Sequence, residues 1–227
     1  NQEVTNLKKN DIADYIDHTL LKPTAGWKDI QKLCDEAKEY HTASVCVPPI
    51  YVPKIKKAYA DDVNICTVIG FPLGYSVTQS KVIETRQAVE NGASEIDMVI
   101  NIAAIKDHDD KTVADEILAI RKAADKEILK VIIETCYLSE DEKIRLCKIV
   151  SGAGADFIKT STGYGTEGAK LSDIELFRTY CRKDLKIKAA GGIRTFKDAM
   201  SFINAGCHRI GTSAAAAIIE ESRNSGN

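Results

Sequence analysis

The sequence has no long apolar run. Its first residues, NQEVTNLKKND, are polar, and nowhere in the 227 residues is there the stretch of about twenty apolar residues that a membrane-spanning helix needs. No secretory signal is visible either. An excess of charge is also lacking: 31 Lys and Arg stand against 33 Asp and Glu, a net charge of -2. Such a balance creates no field that would hold nucleic acid or an anionic membrane, which leaves a small molecule as the expected partner. CxxC pairs are absent. The seven cysteines, at 34, 46, 66, 136, 147, 181 and 207, are odd in number and scattered through apolar or helical patterns. Reduced thiols in a cytoplasmic protein are therefore expected, with neither a disulfide frame nor a zinc site. The histidines, 18, 41, 108 and 208, show no metal-ligand spacing, and His18 reads as a packed or hydrogen-bonded residue. No linker or low-complexity block interrupts the chain, so one domain over 1–227 with one large core is expected.

What is present is alternation of short apolar runs with longer amphipathic ones. The runs predict strands over 15–21, 43–47, 65–71, 95–100, 129–134, 157–161, 187–190 and 209–212. Between and after them, helices are predicted over 27–40, 50–59, 77–91, 112–124, 140–150, 174–182, 196–204 and 214–222, with Ser172 as a cap. A doubly wound sheet shares this alternation, but eight units without a second composition zone favour an α/β fold of one kind, a single (β/α)8 TIM barrel.

In such a barrel the chemistry collects at the C-terminal ends of the strands. Asp17, Cys46, Asp97, Lys159, Lys188 and the segment from Gly211 to Ser213 lie there. An extended backbone puts Phe157 and Lys159 on one face and Ile158 on the other, which carries an amine toward the interior. There it must find a carboxylate or give up its proton. Asp97, between Ile96 and Met98, faces away from both. Each of these residues alone is more simply an ion pair or a rim residue; two lysines and two aspartates from different strands form a constellation. An ordinary lysine near pKa 10.4 is a free amine in only about one molecule in 2500 at pH 7. A second ammonium about 5 Å away, at an effective dielectric near 20, raises the cost of charging by roughly 3 kcal/mol, a little over two pKa units. That is a known route to a lysine that attacks carbonyls, with Asp97 beside Lys188 or a water as proton shuttle.

Two glycine segments, Gly191-Gly192-Ile193-Arg194 and Gly211-Thr212-Ser213, follow the last two strands and precede helices. Close backbone approach and helix N-termini suit a phosphate there, although either segment alone is equally a tight turn and Arg194 equally a surface cation. The segment from Gly163 to Gly168, GYGTEG, matches GxGxxG, but residues 169–172 separate its third glycine from the next helix. It reads as a mobile loop over the site and not as a dinucleotide turn.

DHTLL with Asp17, ASVCVPP with Cys46, GFPLG at 70–74, EIDMVIN with Asp97, KVIIET at 130–135, FIKTSTG with Lys159, KAAGGIR with Lys188 and GTS at 211–213 occur in this order over nearly the whole chain. Together they resemble the deoxyribose-phosphate aldolase family. The resemblance implies a class I aldolase, free of metal and cofactor, that interconverts 2-deoxy-D-ribose 5-phosphate with D-glyceraldehyde 3-phosphate and acetaldehyde. It implies that Lys159 forms the Schiff base, that Asp97 and Lys188 move protons, and that Asp17 hydrogen-bonds in their network. It further implies phosphate contacts at Gly163, Gly191, Gly192, Gly211 and Ser213. Tyr164 stands where some relatives carry a basic residue, which leans phosphate affinity toward backbone donors. Some members end in a tyrosine that assists proton transfer; this sequence finishes SRNSGN, so proton transfer is expected to run without it. A homo-oligomer, dimer or tetramer, is expected, and Cys46 is expected to be open to unsaturated aldehydes. Three rivals use the same residues: a phosphosugar isomerase with Asp97 as base, a phosphosugar-binding barrel without activity, and a nicotinamide oxidoreductase built on the 163–168 glycines. A covalent adduct at Lys159 separates the aldolase from all three.

Overall fold

Runs rich in Val and Ile become eight strands: β1 (Ile16–Thr19), β2 (Ser44–Val47), β3 (Ile65–Ile69), β4 (Glu95–Val99), β5 (Ile128–Ile132), β6 (Phe157–Lys159), β7 (Lys186–Ala190) and β8 (Arg209–Thr212). The computed structural model describes residues 12–224. Expectations made for residues 1–11 and for the last three residues fall outside that range. Each strand pairs in parallel with the next and β8 pairs with β1, so the sheet closes into a barrel and leaves no edge. The helices outside it are α1 (Trp27–Tyr40), α2 (Val52–Tyr59), α3 (Thr78–Glu90), α4 (Ile102–Lys106), α5 (Asp110–Ala124), α6 (Glu140–Gly152), α7 (Leu171–Tyr180), α8 (Phe196–Asn204) and α9 (Ala215–Asn224). The predicted (β/α)8 TIM barrel is the observed fold. Among the described residues no helix is long and apolar enough to cross a membrane.

Alternation along the strands divides the protein into two environments. Ile16, Val45, Ile96, Met98, Val131, Ile158 and Ile210 point outward and join the helices in one apolar core. The inner faces hold a small separate apolar cluster, Cys46, Cys66 and Val68, with Leu21 and Phe71 against it. Local signals fix the helix ends. Ser139 and Glu142 form a reciprocal capping box on α6, and Thr195 with Asp198 forms one on α8.

Strands β1 and β6 are each shorter than the sequence reading has them, ending at Thr19 and Lys159, and three further local differences have physical causes. A short helix, α4, follows β4 and is capped by the Asn101 side chain, which accepts the Ala104 N–H at 3.2 Å; five residues are too few to show a period. Helix α7 starts three residues earlier than expected, so Ser172 lies in its first turn and the cap position falls to Lys170, without a side-chain bond. Strand β3 stops at Ile69 because Gly70 turns the chain at φ 61°.

Candidate active site

The barrel interior carries charge where this fold usually packs branched apolar side chains. Register explains how. Asp97 is the direct partner of Lys130, and Lys159 the direct partner of Lys188, which in turn is opposite Arg209. Asp17 on β1 meets Ser44 and Gly211. These neighbours share the inward face, so seven strands deliver one connected network.

Its centre is Asp97, fully buried. The Lys159 ammonium nitrogen Nζ donates to Asp97 Oδ2 at 2.6 Å and that of Lys188 to the same oxygen at 2.7 Å. The two nitrogens are therefore no further apart than the sum of those distances, and they share one compartment. Lys130 Nζ donates to the other oxygen, Oδ1, at 2.9 Å. Lys188 also pairs with Asp17 Oδ2 at 2.5 Å, and Asp17 Oδ1 accepts from Ser44 Oγ at 2.6 Å and from Arg209 at 2.5 Å. Arg209 and Lys130 both hold Glu95. Below them the Phe157 ring is flanked by Lys130, Lys186 and Arg209 at 5.5 to 5.9 Å.

Burial pushes the Asp97 carboxyl up, but Lys130, Lys159 and Lys188 outweigh it and hold the group well below the usual carboxylate range. Asp17 is likewise held low by Lys188, Lys130 and Arg209 against its burial. Burial pulls Lys188 and Lys130 down, yet the surrounding carboxylates raise both above the ordinary lysine range. In the resting site Asp97 and Asp17 are thus ionised and Lys130 and Lys188 protonated, so the protons of the network reside on ammonium groups. Counted over the network, four cations (Lys130, Lys159, Lys188, Arg209) face three carboxylates (Asp17, Glu95, Asp97). Lys130 pairs with three of those carboxylates, and Lys188 and Arg209 with two each. Lys159 pairs with one. Replacing buried ion pairs by well-packed apolar side chains is often neutral or stabilising by about 1–4 kcal/mol, so stability alone does not account for this network.

The remaining sequence candidates lie above it. Gly163, Gly192 and Ser213 are exposed and Gly191 is half-buried, on the loops after β6, β7 and β8. Gly211 is not at that rim: it sits inside β8, where a β-carbon would come within 3.2 Å of Lys188 Cε, so its missing side chain makes room for the lysine stem. The 163–168 loop is anchored, not loose. Tyr164 donates its hydroxyl to Leu21 O at 2.7 Å and meets the Phe71 ring edge-on at 5.5 Å. A β-carbon on Gly168 would stand 2.2 Å from Gly191 O, and Ala169 N–H donates to that oxygen at 3.1 Å. The third glycine of the GxGxxG match thus serves loop-to-loop contact and lies outside α7, two residues before its cap position at Lys170. His18 is hydrogen-bonded, as expected, to Glu36 at 2.7 Å.

Cys46 is fully buried, not open at the mouth. Its thiol is lowered by a hydrogen bond with Cys66 against its burial. Two groups, Cys46–Cys66–Asp97 and Asp17–Cys66–Glu95, bring ligand atoms within 4.8 Å of one another. Lys130 Nζ lies 3.4 Å from Cys66 Sγ and 2.9 Å from Asp97, so a divalent ion would have to displace an ammonium to enter either. Lys130, Glu95 and Arg209 were not singled out from sequence. The available signal was a lysine at the centre of an apolar strand, LKVIIE, which is as anomalous as Lys159.

A closed parallel barrel with a buried amine at its mouth, sharing a carboxylate oxygen with a second ammonium, defines an enzyme that works on carbonyl compounds through lysine. The chain belongs to the DeoC/LacD family aldolases, whose profile matches residues 12–219. It is 55% identical over 210 residues to the deoxyribose-phosphate aldolase of Clostridium botulinum (strain Alaska E43 / Type E3), covering 92% of this chain and 95% of that one. Among solved structures, a putative deoxyribose-phosphate aldolase from Coccidioides immitis matches with a TM-score of 0.93 at 42% identity, over 96% of this chain and 87% of that chain. The deoxyribose phosphate aldolase from Aeropyrum pernix, described as a unique tetrameric structure, matches with a TM-score of 0.89 at 33% identity, over 95% and 92%.

Proposed function

We propose that this aldolase interconverts 2-deoxy-D-ribose 5-phosphate with D-glyceraldehyde 3-phosphate and acetaldehyde through a Schiff base on Lys159. The observation that carries the reading is the pair of lysine nitrogens on one Asp97 oxygen. Lys159 pairs directly with one carboxylate, where Lys130, Lys188 and Arg209 each pair with two or three, so it is the least tied cation of the network. The free amine attacks C1 of the open-chain sugar; loss of water gives an iminium. A base removes the proton of the C3 hydroxyl, the C2–C3 bond breaks, and its electrons flow to C2 as an enamine while C3 becomes the aldehyde of glyceraldehyde 3-phosphate. Protonation at C2 and hydrolysis release acetaldehyde and the amine. Asp97 accepts protons and Lys188 donates them, with Asp17 holding Lys188 in place. The backbone at Gly163, Gly191 and Gly192, with Ser213, receives the phosphate, and Gly211 seats Lys188.

Borohydride added with acetaldehyde is expected to leave a reduced two-carbon adduct on Lys159, found by peptide mapping. An unmodified Lys159, or an adduct on another lysine, would sink the reading.

The apolar side chains of Ile50, Leu73, Tyr75, Val77 and Ile83 stand exposed on the flank formed by α2, α3 and the loops before them, with Ile50 and Ile83 lining one groove. With the tetrameric relative, this patch supports a homo-oligomer. The doubly substituted Ile50→Glu, Ile83→Glu chain is expected to run at a smaller size than the wild type in light scattering; a wild type that is already monomeric removes the reading. Seven free cysteines support a reducing, cytoplasmic setting.

A further inference from the structure

Among the described residues five non-glycine residues have left-handed backbone, and four of them, His41, Ala60, His108 and Asp125, are exposed. The fifth is Glu134, at φ 54° and 2% exposed, just beyond β5. A side chain in this region is strained and persists only where its surroundings hold it. What holds Glu134 is the loop after Lys159. Its Oε1 accepts the Thr162 N–H at 3.0 Å and its Oε2 accepts the Thr162 hydroxyl, whose oxygen in turn accepts the Tyr164 N–H at 2.9 Å. Backbone bonds from Ile133 N–H to Lys159 O, 3.1 Å, and from Thr135 N–H to Thr160 O, 2.9 Å, extend the sheet pairing to either side of the contact. The loop then folds back so tightly that a β-carbon on Gly165 would come within 3.2 Å of Glu134 Cδ.

Both carboxylate oxygens accept from Thr162, and the charge of Lys159 also acts on the group. Burial pushes the Glu134 carboxyl up, against the bonds from Thr162, so the position costs stability as well as strain. A strained, buried acid that binds the residues on both sides of Gly163 has one evident use. We infer that Glu134 is a positioning residue: it fixes Thr162 and Tyr164, and so the exposed Gly163 backbone between them, in the geometry that receives the substrate's phosphate. The inference rests on the proposed phosphate contact at Gly163.

The test compares 2-deoxyribose 5-phosphate with unphosphorylated 2-deoxyribose in the wild type, Glu134→Gly and Glu134→Gln. Glycine removes the carboxylate and also relieves the left-handed strain, so the fold is spared; a melting curve checks this. Expected in Glu134→Gly is a rise of about tenfold or more in KM for the phosphorylated sugar, with kcat and the unphosphorylated substrate changed by less than about twofold. Glutamine keeps an acceptor for the Thr162 N–H and is expected to recover most of the loss. If Glu134→Gly lowers both substrates equally, or leaves KM for the phosphorylated sugar unchanged while the wild type prefers it, the positioning role is overturned. A wild type with no preference for the phosphorylated sugar overturns the phosphate reading and this role with it.

Discussion

Lys159→Ala is expected to lose at least about 10⁴ of turnover and to yield no borohydride adduct, while remaining folded. No other amine can substitute. Lys188 is close enough, but it is tied to Asp17 at 2.5 Å and to Asp97 at 2.7 Å and stays protonated well above neutral pH. The charge count makes the second half of the prediction sharper. Without Lys159, three cations face three carboxylates, and Asp97 keeps Lys130 at 2.9 Å and Lys188 at 2.7 Å. Alanine leaves a cavity where the lysine stem was, so Lys159→Met is the better probe of charge, because it keeps the volume and deletes the ammonium. Lys159→Met is expected to melt at or above the wild type and to be equally inactive. A Met variant that melts well below the wild type would mean that the network needs Lys159 charged, and the surplus-charge account would fail.

The barrel was readable because its outward faces obey a simple rule: Ile, Val, Leu and Met at every second strand position, each opposite a helix with an apolar stripe. The interior was readable only in part. Lys159 and Lys188 drew attention because glycine-rich turns follow them, and Asp97 because an acid amid Ile and Met cannot be idle. Lys130 has the same anomaly but is followed by Val131, Ile132 and Ile133, which read as ordinary strand. Arg209 and Glu95 stand at the entrance to their strands, where charge is unremarked. What joins them is spatial: Arg209 and Asp17 are 192 residues apart in the chain and 2.5 Å apart in the barrel. Closure of the sheet creates that contact, and no local pattern encodes it. The strain at Glu134 is equally silent in sequence, since glutamate is a common residue and its φ is imposed by the loop it binds.

Lys188→Leu separates two roles that one lysine can play. If Lys188 only passes protons, its loss lowers the rate by the same factor at every pH. If its charge also keeps Lys159 short of protonation, the pH–rate profile moves. The sign follows from the network. Burial pulls Lys188 down, but Asp17 and Asp97 hold its proton above the ordinary lysine range, so its charge is constant through the working pH. In the Leu variant three cations, Lys130, Lys159 and Arg209, face the three carboxylates, and the repulsion of Lys188 on the Lys159 ammonium is gone. The alkaline shift expected is about two pH units, near a hundredfold slowing at pH 7 that narrows toward pH 9. Stability should fall too. A group with a raised folded-state pKa stabilises the protein below its unfolded value, near 10.4, and that contribution fades only as pH rises through the folded value. At pH 7 the contribution is complete in the wild type and absent from the variant, which also leaves Asp17 Oδ2 with only the longer ion pair to Lys130 at 3.7 Å, so a loss of about 3 kcal/mol is expected from urea unfolding. A uniformly lowered profile without displacement would leave Lys188 as a proton carrier alone and would require the amine of Lys159 to be freed by something other than its neighbour's charge.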